Sequence, residues 1–87
     1  GRTGSLFYYQ SIGVVPDLIL YGKGLANGLP ISGVIGATSI IDALGVGVQT
    51  STFSGNALVS AAGIAVLDLL LGGNTLSDVT TKGEFLL

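Results

Sequence analysis

At 87 residues the chain holds at most one small domain. Three basic and five acidic residues, net charge −2, form no basic cluster, which argues against a nucleic-acid surface or a polybasic membrane anchor; the lack of Cys and His excludes disulfides, thiol and imidazole catalysis and the usual zinc ligands. Charged residues make up 9%, against about 25% in ordinary soluble proteins, so a piece from the interior of a longer protein is expected; the missing initiator Met and the apolar finish Phe85-Leu86-Leu87 agree with that expectation.

The first stretch, 1-GRTGSLFYYQSIG-13, opens on a glycine-rich turn. Ser5 is placed to cap a short helix carrying Leu6, Phe7 and Tyr9, with Gly13 closing it. Pro16-Asp17 then introduces Leu18-Ile19-Leu20-Tyr21, a short apolar run that predicts a strand covered on both faces. Asn27-Gly28 signals a turn, and Pro30 holds Leu29 extended. The run 31-ISGVIGAT-38 predicts a second buried strand whose glycines admit another backbone closely.

Ser39 is the expected cap of a short helix over Ile40 to Leu44, ended by Gly45. The polar loop 49-QTSTFSGN-56 follows, and Asn56 is the expected N-cap of a long helix over 57–71, terminated by Gly72-Gly73. That segment is shorter than the roughly 20 residues a membrane span needs, and Asp68 interrupts it. In the tail, Leu76, Val79 and Phe85 or Leu86 fall near helical spacing. Strands alternating with helices predict an α/β fold whose sheet is incomplete within this chain.

Little reactive chemistry is available. Lys23 lies between Gly22 and Gly24, directly after the apolar run, where a sheet gives way to a turn. Ligands of open α/β sheets gather at such strand ends. An unprotonated lysine amine is a nucleophile competent for Schiff-base chemistry; a lysine snorkelling from a strand end is the plainer alternative. A phosphate-binding Walker loop fails, because position 17 is Asp and Gly24 follows Lys23; a dinucleotide G-x-G-x-x-G from Gly22 fails at Asn27. The hydroxyls of 50-TSTFSGN-56 stand before a helix N-terminus, where they either cap the helix or hold a phosphate. Asp17 is a turn former or a site residue, and Arg2 a turn arginine or an anion ligand. Tyr8, Tyr9 and Tyr21 read as packing residues, and Lys82 with Glu84 as a solvated face.

Four blocks in series, GRTG, PDLILYGKG, NGLPISGVIG and STFSGN, resemble the class III pyridoxal-phosphate-dependent aminotransferases. The resemblance covers nearly the whole chain and weakens after Leu71. It implies fold type I, with residues 1–71 part of the cofactor-binding large domain (a mostly parallel sheet with flanking helices) and residues 72–87 the start of the connection toward a C-terminal small domain. It also implies that Lys23 forms the Schiff base with pyridoxal 5'-phosphate and later serves as the proton-transferring base. Ser51 and Thr52 would then contact the cofactor phosphate of the neighbouring subunit, making a homodimer the minimum functional unit. One departure is Ala57, where the family often has Pro. The family's aspartate for the pyridine nitrogen, its phosphate-holding glycine turn and its C-terminal substrate arginine all lie outside these residues, so the chain alone is expected to be inactive.

The activity implied is transfer of an amino group from an amine or amino acid, often at an ω-position, to a 2-oxo acid, with no nucleic acid or membrane involved and a cytoplasmic location, an organellar matrix remaining open. An aminomutase or a decarboxylating relative would look alike over this stretch. A non-catalytic apolar binding or membrane-associated module is the alternative of another class, resting on the high hydropathy and the 57–71 segment.

Overall fold

A computed structural model describes all of residues 1–87. The elements run α1 (Tyr8–Ser11), β1 (Leu18–Tyr21), a 3₁₀ turn (Lys23–Ala26), β2 (Gly33–Gly36), α2 (Thr38–Ile41), α3 (Ala57–Gly72) and α4 (Thr75–Leu86).

The expected order of elements is present, with several local differences. Ser5 does not cap α1. Its hydroxyl lies 2.6 Å from that of Ser11, and Phe7 holds the N-cap position, its N–H donating to Gln10 Oε1 at 3.0 Å. Gly13 does close α1: it takes a left-handed φ of 68°, and Val14 N–H reaches back to the Tyr9 carbonyl at 3.2 Å. That is the six-to-one bond of a Schellman ending. The strand predicted over 31–38 is confined to Gly33–Gly36. Helix α2 begins at Thr38 rather than after Ser39, with extended Ala37 at the cap, and it lasts a single turn.

β1 and β2 pair antiparallel, Leu18 opposite Gly36 and Tyr21 opposite Gly33. The expected sheet is mostly parallel, but a parallel return needs a crossover element, and the connection 22–32 holds only the 3₁₀ turn. Nor are the strands covered on both faces within this chain. Leu20 is 79% exposed and its cross-strand partner Val34 49%. A two-stranded pair is marginal without a third layer, so these apolar faces await other packing.

Helix α3 is where local sequence and structure agree best. Asn56 Oδ1 accepts the Val59 N–H at 3.1 Å, and the Asn56 carbonyl accepts from Ser60 at 2.9 Å. The helix then runs to Gly72, beyond which Gly73 is extended. Asn56→Ala is expected to weaken the full-length parent by about 1 kcal/mol, while Asn56→Asp keeps the acceptor and most of that stability. Equilibrium urea unfolding of the two variants checks this.

The tail forms a full helix, α4, which turns away from α3 by 66° at Gly73-Asn74. Asn74 starts it by accepting both the Asp78 N–H and the Ser77 hydroxyl through its carbonyl, each at 2.8 Å. Leu76 and Val79 are half-buried, whereas Phe85 and Leu86 are exposed. The N-terminal GRTG turn sits in the corner between α3 and α4. A Cβ at Gly1 would touch Leu70, and one at Gly4 would collide with the Thr80 hydroxyl. Gly4 also has φ 83°, so any side chain there is strained. No single helix is long and apolar enough to cross a membrane.

Helix α3 also rests on the 3₁₀ turn. The two buried residues of the chain, Ala26 in that turn and Gly63 in α3, mark it. The segment bearing Lys23 is thus fixed from below by α3.

Candidate functional site

Lys23 leaves the end of β1 as the first residue of the 3₁₀ turn and is exposed. The Leu25 N–H closes the turn on the Gly22 carbonyl at 3.2 Å, and the Asn27 N–H continues it onto Gly24 at 3.1 Å. Asn27, as its turn signal predicts, is left-handed at φ 49°.

The lysine itself also has a left-handed backbone, at φ 54°. A residue with a Cβ reaches that region at a cost of about 1–2 kcal/mol, and the glycines on either side do not relieve it. Gly22 is extended at φ 165°, and a Cβ there would press on Ser32 Cβ at 3.2 Å and on the Ile31 carbonyl at 3.3 Å. Gly24 opens onto free space. The two glycines therefore do different things: Gly22 lets the return segment 31–32 pass close behind the lysine, and Gly24 leaves room in front. Strain held on a non-glycine residue concentrates at functional sites.

The strain has a measurable consequence. In the full-length parent, Lys23→Gly is expected to be more stable than Lys23→Ala by roughly 0.5–1 kcal/mol. Relief of the left-handed Cβ outweighs the larger chain entropy of glycine. Denaturant unfolding of the pair reads this, and a more stable Ala variant would show that Lys23 is not strained.

Lys23 lines an open apolar hollow of about 1080 Å³ together with Tyr8, Tyr21, Leu67 and Leu70. Arg2, from the GRTG turn, lines the same hollow. The other lysine, Lys82, is exposed on α4 and lines neither of the two hollows. A second hollow of about 1290 Å³ lies beside it and is lined by Ser51, Phe53, Ser54, Asn56 and residues of β2 and α2. Leu20, Tyr21, Ile31 and Ser60 line both and form the wall between them.

The predicted site residues are therefore not brought together within one chain. Lys23 lines one hollow and Ser51 the other, while Thr52 stands exposed in the turn that precedes α3 and lines neither. The cap of α3 is Asn56 Oδ1, so capping does not consume the hydroxyls of Ser51 and Thr52. Asp17 lies at the opposite end of β1 from Lys23 and lines neither hollow; its carbonyl accepts the Ala37 N–H at 3.3 Å. That supports the turn role over the site role. Tyr9 stacks on Phe7 at 5.8 Å between ring centroids, as a packing residue does. Tyr21 lies across Gly33, where an added Cβ would strike its ring.

The chemistry of the donor set is simple. The first hollow offers one primary amine on a strained, glycine-flanked turn. The loop before α3 offers hydroxyls and the first N–H groups of a sixteen-residue helix, a combination suited to a phosphate. The phosphate-bearing aldehyde that the resemblance implies would find its amine and its hydroxyls in different hollows of this chain. Sequence reading missed Gly63 and Ile31, which underlie the lysine turn. The available signal was a glycine inside an Ala- and Leu-rich helix, which usually has a packing reason.

The sequence pattern of the family described as Aminotransferase class-III matches residues 1–87. The chain is 44% identical over 87 residues, its whole length, to the acetylornithine aminotransferase of Halalkalibacterium halodurans, of which it covers 23%. It is also 44% identical over 84 residues to that of Synechocystis sp., with 97% of the chain and 19% of the relative covered. Against the acetylornithine aminotransferase of Bacillus subtilis it is 41% identical over 86 residues, covering 99% of the chain and 22% of the relative. The chain thus spans about a fifth of the length of the curated relatives it matches.

Proposed function

The chain belongs to the class-III aminotransferase family, and from that premise we propose that its full-length parent transfers an amino group from an amine or amino acid to a 2-oxo acid, with Lys23 as the catalytic amine. The names of the relatives favour acetylornithine as the donor, which presents its amine at an ω-position. The observation that carries the reading is the setting of Lys23. Of the two lysines, it alone lines a hollow, on a turn held in a left-handed conformation between two glycines.

Pyridoxal 5'-phosphate, when bound, supplies an aldehyde for a primary amine and a protonated ring that accepts an electron pair. The residues of this chain do the rest. Lys23 Nζ is the primary amine that would hold such a group, by condensing with its aldehyde with loss of water, and an amino substrate would free it by exchange. Once free, the Lys23 amine would be the base that takes the proton from the substrate carbon bearing the nitrogen and holds it for return. An arginine at 23 could not do so, because it stays protonated. The open space at Gly24 accommodates the released side chain. The hydroxyls of Ser51 and Thr52 hold the phosphate of a partner subunit, a reading supported by the separation of the two hollows and by the free hydroxyls at the start of α3. A homodimer is then the smallest unit with complete sites.

The test uses the full-length parent. Borohydride reduction in the presence of the cofactor, followed by peptide mapping, should place a pyridoxyl group on Lys23. Mixing with acetylornithine and a 2-oxo acid should yield the oxo product of the donor and the new amino acid. Release of carbon dioxide, or an isomerised amine, would redirect the assignment to a decarboxylase or an aminomutase. A label on any other residue would overturn it.

A further inference from the structure

Resting on the reading of Lys23 as the catalytic amine, we propose that Gly63, in the middle of α3, is a positioning residue that sets the backbone of that lysine. Two close approaches and the burial pattern link the two positions. A Cβ at 63 would stand 3.4 Å from Ile31 Cδ1. The Ile31 carbonyl in turn lies 3.3 Å from the Cβ position of Gly22, the residue directly before Lys23. Gly63 and Ala26, at the other end of the lysine turn, are the two buried residues of the chain. Helix α3 therefore supports the turn through Ala26 and braces the strand end behind it through Ile31.

A brace is needed because Lys23 sits at φ 54°. An unsupported turn would relax toward negative φ and swing the side chain out of line. A methyl at 63 meets only the far end of the flexible Ile31 side chain, at the inner limit of ordinary contact. A larger side chain must displace Ile31, and with it the segment packed against Gly22. Misplacement of a reacting group by about 1 Å costs on the order of 100-fold in rate, so the effect falls on chemistry more than on binding of a donor held elsewhere.

The experiment uses the full-length parent saturated with pyridoxal phosphate. Gly63→Leu is expected to lower kcat by about tenfold or more, with KM for acetylornithine unchanged within about twofold. The pH midpoint of the visible band of the bound cofactor should differ measurably from the wild type, because moving Nζ changes the charges and hydrogen bonds around it. Gly63→Ala should match the wild type in both readings. Ile31→Ala, added to Gly63→Leu, should restore both by giving the new side chain room. If Gly63→Leu has a wild-type circular dichroism spectrum, kcat and pH midpoint, the positioning role is refuted. Loss without restoration by Ile31→Ala refutes the route through Ile31. If Gly63→Leu does not fold, Gly63→Val is read by the same criteria. Borohydride labelling of the wild type separates the two readings. Without a label on Lys23 the amine assignment itself has failed; with it, wild-type behaviour of the Gly63 variants defeats the positioning role alone.

Discussion

Lys23→Ala in the full-length parent is expected to abolish both covalent attachment of the cofactor and turnover. Proton transfer by a positioned base contributes about 10²–10⁴-fold, and loss of the covalent route adds to that. Borohydride should leave no pyridoxyl peptide in this variant, and single-turnover mixing with acetylornithine should show no exchange on the time scale of the wild type. Lys23→Arg should do no better, since a guanidinium is not deprotonated in proteins. The protein should still fold, because Lys23 is exposed and is not one of the two buried residues, Ala26 and Gly63. Full turnover in the Ala variant would end the proposed function, whatever the family.

The second large effect concerns the 87 residues by themselves. The structure exposes 6858 Å², whereas a folded monomer of this mass exposes about 4700 Å². Its radius of gyration is 15.4 Å, against about 12 Å for a compact domain of this length. Twenty-one large apolar side chains are exposed, with Val15 at 92% and Leu58 at 73%, and only Ala26 and Gly63 are buried. The excess of about 2100 Å² over the compact expectation matches the area of a permanent protein–protein contact. The isolated chain is therefore expected to lack a cooperative unfolding transition. It should bind anilinonaphthalene sulfonate strongly, keep part of the α3 helical signal and self-associate at micromolar concentration. Urea titration followed by circular dichroism should give a shallow slope. A sigmoidal transition with coincident fluorescence would show that these residues do form a domain.

Both expectations follow from the same asymmetry. The chain carries the lysine proposed as the reactive amine, while most of its large apolar side chains lie exposed within these residues. The low charge content, 9%, already pointed to a segment whose faces meet other protein. The Leu20–Val34 pair on β1 and β2 is one such uncovered apolar face.

The site was legible in part. Lys23 stood out because it is one of only three basic residues and is set between glycines. The order of four short blocks then carried the resemblance to the family, which the match over residues 1–87 bears out. Gly63 was harder to see, since a glycine within an apolar helix has several packing explanations. The early turns were misjudged for a similar reason. Ser5 and Ser39 are both good caps by residue type, yet Ser5 pairs with Ser11 and α2 starts from Ala37. In helices of four residues, neighbouring contacts outweigh the roughly 1 kcal/mol of a cap.

Local sequence was sufficient for β1, for the turn at Asn27-Gly28 and above all for α3, whose Asn56 cap and glycine ending each act on backbone a few residues away. Tertiary structure decided the antiparallel return of β2, the left-handed backbone of Lys23, the approach of Ile31 to Gly63, and the separation of Lys23 from Ser51 into different hollows. The reason is range. Caps and turn signals are satisfied by adjacent backbone groups and leave their mark in short patterns. A strained lysine is held by atoms distant in the chain, and no short pattern records which of them will meet.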